Sequence, residues 1–223
     1  MPASKIGAIF DWDGVIIDSS SLHEKSWERL AAETGFELPP DHFKKGFGMK
    51  NTFIIPKILK WVEAPDEVHR LSLRKEELYR KLVVEHGIAP LPGVTPWLDE
   101  LKRCGIPCAI GSSTERLNID TILNVIGIGR YFSAIVSAED VSHGKPDPEV
   151  FLTAAQRIER DPSHCVVFED ALAGIEAAHR GGMKVIGVAT TNPIEAIAAA
   201  DLAVHGLDEL SVDKLTALIQ PDD

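Results

Sequence analysis

The chain has 223 residues, with 23 lysines and arginines against 34 aspartates and glutamates and a formal charge of −11 at pH 7. Its 44% apolar and 26% charged residues describe a folded chain, one large domain or a domain with a smaller insert. The acidic balance argues against a basic nucleic-acid-binding face, and no run approaches the ~20 uncharged apolar residues of a membrane span.

The first apolar run, residues 6–10, is cut short by Asp11 and Asp13, too early and too acidic for a signal peptide. It reads as a strand. From Ser19 to Ala89 no strand-like run follows. Asp18-Ser19-Ser20-Ser21 reads as a linker into a capped helix carrying Leu22, Trp27, Leu30 and Ala31 on one face. Val68, Leu71, Leu78 and Leu82 fit a second helical face. This interval is too long for a crossover and predicts an inserted helical domain at 19–89, leaving 1–18 and 90–223 as the main domain. Its exit, Gly87-Ile88-Ala89-Pro90-Leu91-Pro92-Gly93, is rich in helix breakers and reads as a hinge.

Beyond the insert, strands and helices alternate. Strands are predicted at 107–110, 134–136, 165–168, 185–188 and 202–204, and helices at 95–103, 115–126, 148–159, 171–181 and 194–200. Apolar runs without polar alternation suit strands covered on both faces. The expected fold class is α/β, a doubly wound parallel sheet of Rossmann-like form with an inserted α-helical cap. Cys104, Cys108 and Cys165 form no C-x-x-C pair and leave an odd count. No disulfide framework or zinc site is therefore expected, and a cytoplasmic location is.

Open α/β sheets bind ligands at the carboxyl ends of their strands. The residues just after these runs are Asp11-Trp12-Asp13-Gly14-Val15, Gly111-Ser112-Ser113-Thr114, Gly144-Lys145-Pro146-Asp147-Pro148 and Glu169-Asp170. Four acids, a serine pair and a lysine are thus expected at one edge. Converging carboxylates repel unless one is protonated or a cation joins them. Mg²⁺ takes oxygen ligands and leaves room for water and phosphate, with the lysine and hydroxyls as donors to phosphate oxygens. Metal-assisted phosphoryl transfer is the chemistry inferred.

The four segments resemble the haloacid dehalogenase superfamily, in the branch with a helical cap inserted after the first strand, which includes β-phosphoglucomutase and sugar-phosphate phosphatases. The order D-x-D-G-[VT], an apolar run ending in Ser, K-P, and an acidic pair before a helix is met by Asp11–Val15, Cys108–Ser112, Lys145-Pro146 and Phe168-Glu169-Asp170. The resemblance makes Asp11 the nucleophile and a Mg²⁺ ligand. It makes Asp13 the acid/base, with its backbone carbonyl on the metal, and Lys145 the partner of Asp11 and the phosphate. Gly14 gives the turn its backbone freedom, Ser112 and the Ser113 amide contact phosphate, and Glu169 and Asp170 complete the metal site.

Bland readings stand beside these. Ser112-x-x-Glu115 is also a capping-box pattern, Asp147-Pro148 resembles an N-cap with proline at the first helical position, and Glu169-Asp170 could simply open a helix. His23 resembles a histidine of β-phosphoglucomutase that assists acid/base chemistry. Gly46-Phe47-Gly48-Met49-Lys50-Asn51 resembles the cap loop over the substrate. The mutase carries an arginine there for the distal phosphate, whereas Asn51 beside Lys50 stands here. Lys50 and Asn51 are specificity candidates, and His143 is read as structural.

The expected function is hydrolysis of a small phosphorylated metabolite, in the main a sugar phosphate, through an aspartyl-phosphate, by a monomer or weak dimer. The alternative is β-phosphoglucomutase, interconverting β-glucose 1-phosphate and glucose 6-phosphate. Dehalogenases and phosphonate hydrolases lack an aspartate at the place of Asp13. A phosphate-holding receiver module lacks both that acid and a large insert.

Overall fold

The computed structural model describes residues 5–46 and 49–219. In chain order it begins with β1 (Gly7–Phe10), α1 (Ser20–Thr34), α2 (His42–Gly46), α3 (Asn51–Phe53), a π-helical turn (Ile54–Leu59) and α4 (Pro65–His86). Then come α5 (Val94–Arg103), β2 (Cys108–Gly111), α6 (Arg116–Ile126), β3 (Phe132–Val136) and α7 (Glu149–Arg157). The chain closes with β4 (Cys165–Glu169), α8 (Leu172–Arg180), β5 (Lys184–Val188), β6 (Leu202–Val204) and α9 (Val212–Ile219). Contacts divide it into two units, Met1–Asp18 with Ala89–Asp223, and Ser19–Ile88.

In the first unit the strands form one sheet in the order β3-β2-β1-β4-β5-β6, every neighbouring pair parallel. This is the α/β doubly wound sheet expected. All residues of β1, β2 and β4 are buried, which is why their sequences are unbroken apolar runs. On one face Ile9, Ala109, Val167 and Val185 pack with Val150, Phe151 and Ala154 of α7 and Ile175 and Ala178 of α8. Phe10 stacks on Phe168 at 4.4 Å, and Trp97 of α5 meets Phe168 edge-on at 6.2 Å. The register aligns Phe10 with Ile110 and with Phe168, so β1, β2 and β4 end at one level. Strand order reverses on either side of β1, which makes the carboxyl end of β1 the switch point.

The second unit is helical. Trp27 and Leu30 of α1, Ile54, Ile55 and Leu59 of the π turn, and Val68, Leu71 and Leu78 of α4 form its apolar centre. Gly87, at φ 72°, ends α4 in a conformation that side chains disfavour. Phe47 and Gly48 of the expected cap loop lie outside the described residues.

Several local expectations are corrected. Residues 194–200 form only a 3₁₀ turn at Ile194–Ile197, too short to bury a full helical face. The unforeseen α9 buries Leu215 and Ile219, four residues apart on one face. Ser19 precedes α1 without a side-chain cap, because its own backbone is already helical. Pro148 rather than Asp147 is the residue before α7, yet the Asp147 carboxylate still accepts the Glu149 N–H at 3.0 Å.

Candidate active site

The segment after β1 turns back on itself. Ile16 and Ile17 donate to the Trp12 carbonyl at 2.9 and 3.3 Å, and Gly14 donates to that of Ile17 at 2.8 Å. Gly14 sits at φ 80°, and a β-carbon there would run into the Asp170 carboxylate. Glycine is therefore required for both backbone and space. Trp12 is fully buried and anchors the turn between two acids.

Asp11, Glu169 and Asp170, all buried, place carboxylate oxygens within 4.8 Å of one another. Asp11 is held at the β1 end by its N–H to the Phe168 carbonyl, 2.9 Å. Lys145 comes in from the loop before α7, and its ammonium donates to Asp11 Oδ1 at 2.7 Å and Glu169 Oε1 at 2.6 Å. The ammonium also lies 4.7 Å from the centre of the Phe151 ring. Arg180 secures the same loop by donating to the Pro146 carbonyl at 2.9 Å. Glu169 Oε2 accepts the Ala171 N–H at 2.7 Å, so it also caps the approach to α8, one of the plainer readings of this acid.

Crowding makes these carboxyl groups resist ionisation together when no cation is bound. Burial, then the nearby Glu169 and Asp170, push Asp11 well above the usual carboxylate range against the pull of Lys145. Asp170 is pushed up to about 7 by burial and by Glu169. For Lys145, burial acts to lower its pKa, but Asp11 and Glu169 outweigh it and hold the group above its ordinary value. The three carboxylates outnumber this ammonium by two. A hard divalent cation with oxygen ligands fits such a set, and among the described residues no sulfur or imidazole joins it.

Asp13 stands apart from the three. It is not one of the three carboxylates that lie within 4.8 Å of one another, and its Oδ2 accepts the Thr114 hydroxyl at 2.6 Å. Ser112 is buried and extends the strand, donating its N–H to Val136 at 3.0 Å, while its Oγ accepts the Thr114 N–H at 3.1 Å. The capping box at Ser112 does not form, because α6 starts only at Arg116, behind Glu115. The Glu139 carboxylate instead accepts the Arg116 N–H at 3.0 and 3.1 Å. Ser113 is exposed.

Sequence reasoning passed over the segment after β5. Thr190 donates its hydroxyl to the Gly14 carbonyl, Thr191 donates to Asp170 Oδ2, and Asn192 Nδ2 donates to the Asp170 carbonyl at 3.0 Å. The rule that pointed to the ends of the earlier strands would have found them.

In the helical unit His23 stacks on Tyr79 at 3.8 Å, and Lys75 Nζ reaches its Nδ1 at 2.6 Å. Burial and then Lys75 lower the His23 pKa to about 3, so the ring is neutral. An ammonium has no acceptor, so Nδ1 accepts and the ring proton belongs on Nε2. Lys75 and Glu76 are buried and paired at 2.9 Å. Asn51 donates to Glu76 at 2.7 Å, and Lys50 is exposed.

The sequence profile of haloacid dehalogenase-like hydrolases matches residues 8–188. The chloroplastic 5-amino-6-(5-phospho-D-ribitylamino)uracil phosphatase of Arabidopsis thaliana is 41% identical over 220 residues, covering 97% of this chain. The chain spans 58% of that protein's length. The fructose-1-phosphate phosphatase of Escherichia coli is 34% identical over 184 residues, 82% of this chain and 95% of that one. Among solved structures, β-phosphoglucomutase from Clostridium difficile superposes with a TM-score of 0.79 at 28% identity, covering 96% of each chain. The chain belongs to the haloacid dehalogenase-like hydrolases, in the branch that holds sugar-phosphate phosphatases and β-phosphoglucomutase.

Proposed function

We propose that the chain is a Mg²⁺-dependent phosphatase that hydrolyses a small phosphorylated metabolite of the sugar-phosphate class by way of a phosphoryl group on Asp11. The carrying observation is Lys145, whose ammonium bonds Asp11 and Glu169 at 2.7 and 2.6 Å beside Asp170. Asp11, Glu169, Asp170 and the Asp13 carbonyl would hold Mg²⁺. Bound there, the metal supplies charge neutralisation for the phosphoryl oxygens.

The chain's own residues do the rest. An Asp11 oxygen attacks phosphorus in line, and the bond to the leaving oxygen breaks as Asp13 protonates that oxygen. Water then attacks the phosphorus of the aspartyl-phosphate, giving its proton to Asp13 while the bond to Asp11 breaks. The Thr114 hydroxyl, donating to Asp13 Oδ2, orients the carboxyl group that carries the transferred proton. Ser112 Oγ accepts from Thr114 N–H, which leaves its own hydroxyl proton for a phosphate oxygen. The Ser113 amide follows on the same loop. Lys145 orients Asp11 and screens the incoming charge.

His23, as an Nε2–H donor, and Lys50 are candidates for contact with the leaving group. Asn51 favours hydrolysis over mutase chemistry, since its amide is committed to Glu76 and a neutral amide is a poor grip for a second phosphate. A panel of sugar phosphates with and without Mg²⁺ tests the reading, with release of inorganic phosphate as the expected outcome. Conversion of β-glucose 1-phosphate to glucose 6-phosphate without net release would establish the mutase instead.

A further inference from the structure

Lys145 bonds Asp11 and Glu169, and the Ala171 amide bonds Glu169. The Asp170 side chain is bonded differently. Its Oδ2 takes the hydroxyl of Thr191, and its backbone carbonyl takes the Asn192 amide at 3.0 Å. On its other side lies Gly14, where no β-carbon fits. Thr190 in turn donates to the Gly14 carbonyl. Three consecutive side chains after β5 therefore bind both the carboxylate and the turn it packs against. All of these donors are uncharged.

An uncharged donor does what a lysine cannot do here. It selects one rotamer of a carboxylate without cancelling its charge, so the group stays available to a cation. Threonine adds stiffness, since its branched β-carbon restricts χ1. We propose that Thr191 is a positioning residue for Asp170, fixing the orientation in which that carboxylate receives a divalent cation, with Asn192 holding the backbone beneath it. The inference rests on the Mg²⁺-dependent reading above and names what in this chain sets the affinity.

The experiment is a calorimetric Mg²⁺ titration of the full chain without substrate, for the wild type, Thr191→Val and Thr191→Ser. Valine keeps the shape of Thr191 while removing its hydroxyl, and melting curves taken without metal check that each variant is folded. Loss of an oriented outer partner weakens metal binding by roughly 10–100-fold. The valine variant should lose at least about tenfold in affinity, and the serine variant should stay within about threefold of wild type. Should valine fail to fold, Thr191→Ala reads out the same loss. Valine binding as tightly as wild type, or serine weakened as much as valine, overturns the proposal. A wild-type chain that binds no Mg²⁺ overturns the metal reading first and this inference with it, so the two failures are told apart by the wild-type curve.

Discussion

Lys75 and Glu76 are adjacent in sequence, buried, and paired at 2.9 Å inside the helical unit. At an effective dielectric of about 20 their attraction is of the order of 6 kcal/mol, most of it offset by taking both ions out of water. Lys75→Met keeps the bulk and removes the ammonium, leaving the Glu76 carboxylate buried beside a methyl group. Removing one partner of a buried pair costs about 3–5 kcal/mol, and that loss is expected at pH 7. Lys75→Met with Glu76→Leu removes both charges and should recover at least half of it. Urea melts followed by tryptophan fluorescence report directly on the region, because Lys75 Nζ lies 5.5 Å from the Trp27 ring and Trp61 packs edge-on to Trp27 at 6.0 Å. A single variant losing less than about 1 kcal/mol would mean the pair is solvated and would refute the reasoning.

The same cluster sets an acid limit. His23 has its pKa lowered to about 3. Glu76 is lowered to about 2, since Lys75 and His23 outweigh the upward push of burial. Both folded values lie below the unfolded ones, so their contribution is intact above pH 6.5 and is lost on acidification, first through His23 and below about 4.5 also through Glu76. Stability of the helical unit should fall by up to about 1.4 kcal/mol per pH unit per group across those windows, measured by urea midpoints from pH 8 to pH 4. A flat profile would contradict the assignment. Gly14→Ala should destabilise the chain by roughly 2 kcal/mol or more, because a left-handed φ is joined to a collision with Asp170. Differential calorimetry would show the shift, and an unchanged melting temperature would show that the turn relaxes freely.

All six apolar runs became strands to within a residue or two, and β1, β2 and β4 were the plainest because burial on both faces leaves them no polar alternation. The carboxylates after β1 and β4 were legible as candidates because acids at the end of a buried strand have a ready reading. Lys75 and Glu76 were not legible. They sit in the charged run Arg74-Lys75-Glu76-Glu77, which looks like a solvated face, and tertiary packing of α4, on α1 above all, buries two of the four. Thr190, Thr191 and Asn192 fall under the strand-end rule after β5, but they carry no charge to draw notice and their partners lie far away in sequence. The capping box at Ser112 failed for a related reason. A local pattern was satisfied on paper, but α6 began only at Arg116 and Glu139 supplied the cap from a distant turn.

The most direct measurement is the site of phosphorylation itself. Wild type and Asp11→Asn would be incubated with Mg²⁺ and a turned-over sugar phosphate, quenched in acid, and mapped by peptide mass spectrometry. A phosphoryl group on Asp11 is expected in the wild type, with no label and no phosphate release in a folded Asp11→Asn. Turnover that persists in Asp11→Asn, or a label on another residue, would contradict it.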